Sequence, residues 1–286
     1  MAIYGRTDLA SEAHSLRSRQ AKEAGKLPGV TARYEMINGL AVVAVEVSSE
    51  EGAEALGKPI GKYFTLELCP HFERGSEDFP EIADTLAQLI RRCGRTDGSG
   101  CVLIAALGNP DITPDAVGPL TAANILVTRH LKQSDPEQFA GFRSTVLCRT
   151  GVLGTTGVES AVQVKTLCRE LQPELVIAID ALAGSDVSHL CRTVQISSAG
   201  ICPGSGVGNN REELNAASLG VPVIAIGVPT VVDASCFSKE PKLATMFVTP
   251  RDIDSSVRTL GRLIGYGVNL ALHKGLTVDD VDLLVG

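Results

Sequence analysis

Residues 101–107 read CVLIAAL and residues 175–182 read LVIAIDAL, two runs that are almost entirely apolar. Such runs are typical of parallel strands that are buried on both faces of a sheet. A segment with helical periodicity follows the first run, and another precedes the second. Alternation of buried strands with helices predicts βαβ units. The fold class expected is therefore α/β, with a mostly parallel sheet flanked by helices in three layers.

The rest of the chain extends this pattern in both directions. Further strands are predicted at 40–47, 63–68, 144–148, 193–197 and 222–234. Helices are predicted at 11–24, 79–93, 115–130, 158–171, 210–219 and 251–273. We interpret 1–286 as one α/β domain with a polar N-terminal segment at 1–35 and a C-terminal helical region at 246–286 that packs on it.

Composition excludes several classes of protein. The net charge of −7 disfavours nucleic-acid binding, which needs clustered Lys and Arg. No apolar run approaches the roughly 20 residues that span a bilayer. The eight cysteines have no CxxC spacing and follow no apolar leader, which predicts a reduced, cytoplasmic protein. The five histidines form no metal-type pair, so neither a metal nor another cofactor is expected.

Two aspartates follow buried strands and are the predicted catalytic residues. Asp180 lies within the second apolar run, where a carboxylate is costly unless it is paired or opens into a site. Asp115 follows the first run, in LGNPDITPDAVGPL. Each also suits the simpler role of a helix cap. Because ligand sites lie beyond the carboxyl ends of parallel strands, the two carboxylates are expected to share one crevice.

Glycine-rich turns near these strands are candidate binding loops. Residues 200–208 contain PGSGVG, where exposed backbone N–H groups of Gly204, Ser205 and Gly206 suit an oxyanion. Gly108 and Asn109, directly after the first apolar run, are assigned to the same substrate-binding role. Tight turns that need positive φ explain these glycines equally well. A phosphate-binding α/β protein that uses 203–208 and 151–157 remains an alternative.

Several segments resemble the germination protease family of spore-forming bacteria. They are RTDLASEA (6–13), LGNPDITPDAVGP (107–119), GVLGTTGVES (151–160), LVIAIDALA (175–183), TVQISSAGICPGSGVGNNREEL (193–214) and LGVPVIAIGVPTVVDA (219–234). The resemblance implies an atypical aspartic-type endopeptidase of the spore core that degrades small acid-soluble spore proteins. It also implies a zymogen, a homotetramer, and Asp115 and Asp180 as the catalytic pair.

The N-terminus resembles the sequence at which this family cuts its substrates. Residues 7–12 read TDLASE, and the resemblance implies a clip around Leu9–Ala10. The sequence departs from the family's pattern in three places. Only five residues precede Arg6, fewer than in the family's usual pro-segment, and the family's long insertion is reduced to 235–245. In addition, Cys202 stands where family members often have His.

A more distant likeness is to hydrogenase-maturation endopeptidases, in which comparable carboxylates help to hold a metal. Carboxylates without histidine make a poor transition-metal site, and the sequence offers no third ligand. A metal-assisted endopeptidase is therefore disfavoured. It stays an alternative to a two-aspartate protease, as does a non-catalytic relative.

Overall fold

In the computed structural model, residues 7–20, 27–69, 72, 76–204, 212–237, 242–243 and 246–285 are described. Their strands form one nine-stranded mixed sheet in the order β1-β2-β3-β7-β8-β6-β4-β5, with β9 beside β8. The strands are β1 Val30–Ile37, β2 Leu40–Val47, β3 Gly61–Glu67, β4 Val102–Leu107, β5 Thr145–Gly151, β6 Leu175–Gly184, β7 Thr193–Ser197, β8 Val223–Asp233 and β9 Phe247–Val248.

The sheet has a parallel core and an antiparallel wing. Strands β5, β4, β6 and β8 are parallel neighbours, as the apolar runs predict. Strands β1, β2, β3 and β7 continue the sheet in antiparallel order. A hairpin joins the first two through Asn38 and Gly39, whose positive φ angles of 49° and 72° suit a two-residue turn. The predicted α/β class is confirmed, with its parallel strands in the core.

Helices cover both faces of this sheet. They are α1 Ala10–Gln20, α2 Glu50–Leu56, α3 Phe79–Cys93, α4 Val117–Ala122, α5 Arg129–Ser134, α6 Leu153–Thr156, α7 Ser160–Leu171, α8 Ala216–Leu219, α9 Ile253–Leu272 and α10 Val278–Val285. The larger apolar core joins α3 and α9 to one face, and a smaller one joins α7 to the other. Among these helices, none has the length and apolarity required to cross a bilayer.

The prediction of one continuous helix at 115–130 is wrong. A 3₁₀ turn at Thr113–Asp115 leads into α4, and α5 begins only at Arg129. Between them, Asn269 of α9 donates to the carbonyl of Asn124 and accepts from the amide of Leu126. These long-range bonds replace the intrahelical ones, so the chain can bend without leaving buried backbone groups unsatisfied.

The N-terminal segment is built into the fold rather than lying on it. Leu9 and Ala10 are fully buried, and α1 packs against β2 and β3. The interpretation of 1–35 as a polar segment misses both α1's buried start and the edge strand β1. At the other end, the short strand β9 precedes α9, which packs against α3 and α4.

Candidate active site

Asp115 is held by the turn that follows β4. The Asn109 amide donates to the Asp115 carbonyl at 3.1 Å and to its Oδ2 at 2.9 Å. Gly108 has φ of +108°, and a Cβ there would lie 2.1 Å from the Asp115 carbonyl oxygen. Only glycine allows this approach without strain. Gly108 and Asn109 therefore position Asp115, in addition to the substrate-binding role predicted for them.

The start of α4, which follows this turn, packs equally closely on the strands beneath it. A Cβ at Gly118, near the start of α4, would lie 2.1 Å from the Leu107 carbonyl oxygen and 2.8 Å from that of Ile179. The helix thus rests directly on the carboxyl ends of β4 and β6. This contact fixes the Asp115 turn relative to the strand that carries Asp180.

Asp180 lies in β6 opposite Gly227 of β8 and is 5% exposed. Its Oδ1 accepts a hydrogen bond of 2.9 Å from the amide of Ala181. A backbone N–H donor favours the ionised form of a carboxylate, which partly offsets the cost of burial. Asp180 is thus placed by the strand itself, with one oxygen bound locally.

Both aspartates line one cavity of about 450 Å³ at the carboxyl ends of the parallel strands. Gly108, Asn109 and Gly204 also line this cavity. The structure therefore brings together five of the predicted site residues. Ser205 and Gly206 lie outside the described residues. Among the residues that are described, no group of three His, Cys, Asp or Glu side chains is arranged to hold a metal ion.

The N-terminal segment forms part of the cavity wall, which the sequence does not reveal. Asp8 lines the cavity, donates its amide to the Ala183 carbonyl at 2.9 Å and accepts from the Ala183 amide through Oδ2 at 2.9 Å. This residue pairs with β6 three positions after Asp180. The TDLASE motif indicates a cut site in the sequence, but only the structure shows that it lies beside the aspartates.

Glu12 anchors the same segment through a buried polar cluster. Its carboxylate accepts from the Ser185 amide and hydroxyl, from Thr7, and pairs with His189 Nδ1 at 2.6 Å. Burial raises the pKa of Glu12, but the hydrogen bonds from His189, Ser185 and Thr7 outweigh it and leave the pKa lowered. The hydrogen bond to Glu12 raises the pKa of His189 against the effect of burial.

The predicted clip residues are the most enclosed part of this segment. Leu9 and Ala10 have no exposed surface, and the Ala10 amide donates to Gln195 Oε1 at 2.7 Å. The peptide bond between them is therefore enclosed by the protein, and a clip there stays a prediction.

The chain is similar in sequence to one family of known proteins. The family model described as germination protease matches residues 8–243. The germination protease of Caldanaerobacter subterraneus subsp. tengcongensis is 39% identical, over 98% of each chain. That of Clostridium tetani is 35% identical, over 97% of this chain and 98% of its own. That of Geobacillus sp. strain WCH70 is 39% identical, over 98% of this chain and 78% of its own.

Proposed function

Because the chain belongs to the germination protease family, which confirms the resemblance in its motifs, we propose that it hydrolyses peptide bonds with Asp115 and Asp180 as catalytic carboxylates. The family makes it a hydrolase with a spore protease function. The observation that carries the two-aspartate mechanism is the single cavity that both side chains line.

The proposed chemistry uses the two carboxyl groups in different protonation states. Two carboxylates in one site resist ionising together, so one binds its proton more tightly than the other. The ionised group takes a proton from an attacking water, and the protonated group assists at the scissile peptide. Asp180 is enclosed in the sheet, whereas Asp115 lies on a turn that is partly exposed. Their surroundings therefore have the contrast that such a division needs.

The substrate and the setting are proposed from the family resemblance. The substrates are small acid-soluble spore proteins, whose cut sites resemble the chain's own TDLASE segment. The proposal extends to a zymogen clipped around Leu9–Ala10, a homotetramer, and a place in the forespore or spore core. Nucleic acid and membrane have no direct part in it.

The test is cleavage of a peptide with the sequence RTDLASEA, residues 6–13 of the chain. Asp115→Asn and Asp180→Asn should each lower kcat by about 10²- to 10⁴-fold, the range of a lost general acid or base. Both variants should keep the far-UV circular dichroism of the parent chain. Asp111→Asn, which changes an exposed carboxylate four residues before Asp115, should leave kcat unchanged.

Other outcomes separate the alternatives. A parent chain that cleaves no peptide, with Asp-to-Asn changes that cost about 1 kcal/mol of stability, would point to a non-catalytic relative with carboxylates as caps. Full activity in both Asn variants would refute the assignment of the aspartates.

A further inference from the structure

The carbonyl of Asp8 accepts two side-chain hydrogen bonds that no part of the proposed mechanism uses. Lys58 Nζ donates to it at 3.0 Å and Gln195 Nε2 donates at 3.1 Å. Lys58 also donates to the preceding carbonyl, that of Thr7, at 3.0 Å. Two donors on a single peptide oxygen, one of them a cation, form the arrangement that stabilises a developing oxyanion.

These donors and the aspartates line two different cavities, and Asp8 lines both. Lys58 and Gln195 line a second cavity of about 590 Å³. This cavity shares Asp8, Leu182 and Cys202 with the cavity of Asp115 and Asp180. The Asp8 residue is therefore a wall common to both spaces, with the polarising donors on one side and the carboxylates on the other.

The neighbouring peptide groups are occupied differently. The Leu9 carbonyl accepts from the Ala13 amide at 3.0 Å, as the first turn of α1 requires. The Ala10 amide donates to Gln195 Oε1, so Gln195 binds on both sides of Leu9. The Asp8 carbonyl is the one that receives the paired side-chain donors. Side-chain hydrogen bonds thus hold the backbone on both sides of the Asp8–Leu9 bond.

The environment of Lys58 makes its hydrogen bonds to these carbonyls important. Burial lowers the pKa of Lys58, whereas the nearby charges of Asp8 and Glu12 favour its protonated form. A lysine enclosed in this way is costly unless its ammonium group has partners. In the described structure those partners are backbone carbonyls of an N-terminal segment about fifty residues earlier, and a substrate that took its place would offer the same groups.

We propose that Lys58 and Gln195 are catalytic residues that hold the scissile carbonyl oxygen when the TDLASE segment is cut. The cut bond is then Asp8–Leu9, one peptide bond before the Leu9–Ala10 bond. The inference rests on the proposed function. Water's oxygen bonds to the Asp8 carbonyl carbon, and one carboxylate accepts a water proton. The carbonyl electron pair moves onto the oxygen held by Lys58 and Gln195. Its return breaks the C–N bond, and the proton passes to the Leu9 nitrogen, leaving a carboxyl group and an amine.

The first measurement is steady-state cleavage of the RTDLASEA peptide. Lys58→Met and Gln195→Met should each lower kcat by about 10²- to 10³-fold, with KM nearly unchanged, because the lost contact strengthens only in the transition state. Propylammonium added to Lys58→Ala should restore part of kcat, which a purely structural role would not explain. Mass spectrometry should place the cut after aspartate, in the peptide and in the chain.

Matched controls are Lys62→Met and Gln138→Met, which change exposed side chains and should keep the parent kcat. If Lys58→Met fails to fold, Gln195→Glu still tests the inference. This variant keeps an oxygen that accepts from the Ala10 amide but lacks the N–H group that donates to the Asp8 carbonyl. A folded Gln195→Glu or Lys58→Met with parental kcat overturns the inference while the aspartate assignment stands. Active Asp115→Asn and Asp180→Asn variants would instead overturn the proposed function.

Discussion

Residues 7–12 and helix α9 are both largely buried, but different kinds of interaction hold them. The N-terminal segment, residues 7–12, is held by Lys58, Gln195, Ser185 and His189 through hydrogen bonds and charge. The C-terminal helix α9 is held by an apolar face in the main core. Polar contacts depend on protonation and can be exchanged for those of another peptide, whereas apolar packing depends on shape. The difference suits the proposal that the N-terminal segment gives way to substrate while helix α9 stays in place.

A histidine in each region shows the same contrast. The hydrogen bond to Glu12 raises the pKa of His189, beside the N-terminal segment. Burial lowers the pKa of His273, at the end of α9, to about 4, and Lys132 acts in the same direction. Lowering the pH should therefore strengthen the contacts of the N-terminal segment and weaken the packing at the end of α9.

The largest expected effect comes from the apolar region. Leu263 of α9 is fully buried, so Leu263→Ala should lower the free energy of unfolding by about 2–5 kcal/mol through lost burial and a cavity. Urea unfolding should show the same loss at pH 6 and pH 8, because no titrating group is removed. Leu283→Ala, on a side chain that is 85% exposed, is the control and should have little effect. A loss that changes strongly with pH would contradict the comparison.

The next largest effect is the pH dependence of stability that comes from His273. Its Nδ1 accepts from the Arg143 amide at 3.2 Å, and its Nε2 is buried without a partner among the described residues. Its folded pKa of about 4 lies below the usual 6.5, so the unfolded chain binds a proton first as pH falls. Stability is then complete above pH 6.5 and decreases toward pH 4, by about 3 kcal/mol at 1.36 kcal/mol per unit.

The measurement is urea unfolding of the parent chain and His273→Asn from pH 7 to pH 4. The variant keeps an acceptor for the Arg143 amide but has no titrating ring, so its stability should fall less steeply. Parallel curves would show that the imidazole is solvated or already paired in the folded state.

Much of the parallel core was accessible from the sequence, because it depends on short-range pattern. The apolar runs at 101–107 and 175–182 became β4 and β6 with small changes at their ends. The shared cavity of Asp115 and Asp180 follows from the rule that the carboxyl ends of parallel strands meet at one sheet edge. Here local composition and topology point to the same place.

The rest depends on contacts between distant parts of the chain. Lys58 lies in a turn between Gly57 and Pro59, where a lysine is ordinarily exposed. It is partly buried here, and its ammonium group donates to the carbonyls of residues 7 and 8, which lie about fifty residues earlier in the chain. The break in the 115–130 helix depends in the same way on Asn269. No periodicity within either segment carries that information.

The smallest expected effect tests the polar region through the pair of His189 and Glu12. The side chain of His189 is 29% exposed and Glu12's is 3% exposed, so removing the pair by His189→Asn should cost only about 1 kcal/mol, the upper range for a partly exposed ion pair. Asp186 and Glu67 also face His189, and both raise its pKa further.

The sign of its pH dependence is opposite to that of His273. A raised folded pKa gives stability that is complete below the unfolded value near 6.5 and is lost as pH rises through the folded value. The lowered pKa of Glu12 keeps the partner charged down to pH values below its usual range. Urea unfolding should therefore give different free energies of unfolding for the parent chain and His189→Asn at pH 5.5, and nearly equal ones at pH 8.5.

Hydrogen exchange should show faster opening at residues 8–13 in the variant, with α9 unaffected. His130→Asn, an exposed change, serves as control. A gap that widens with rising pH would mean that neutral contacts, rather than charge, hold the N-terminal segment.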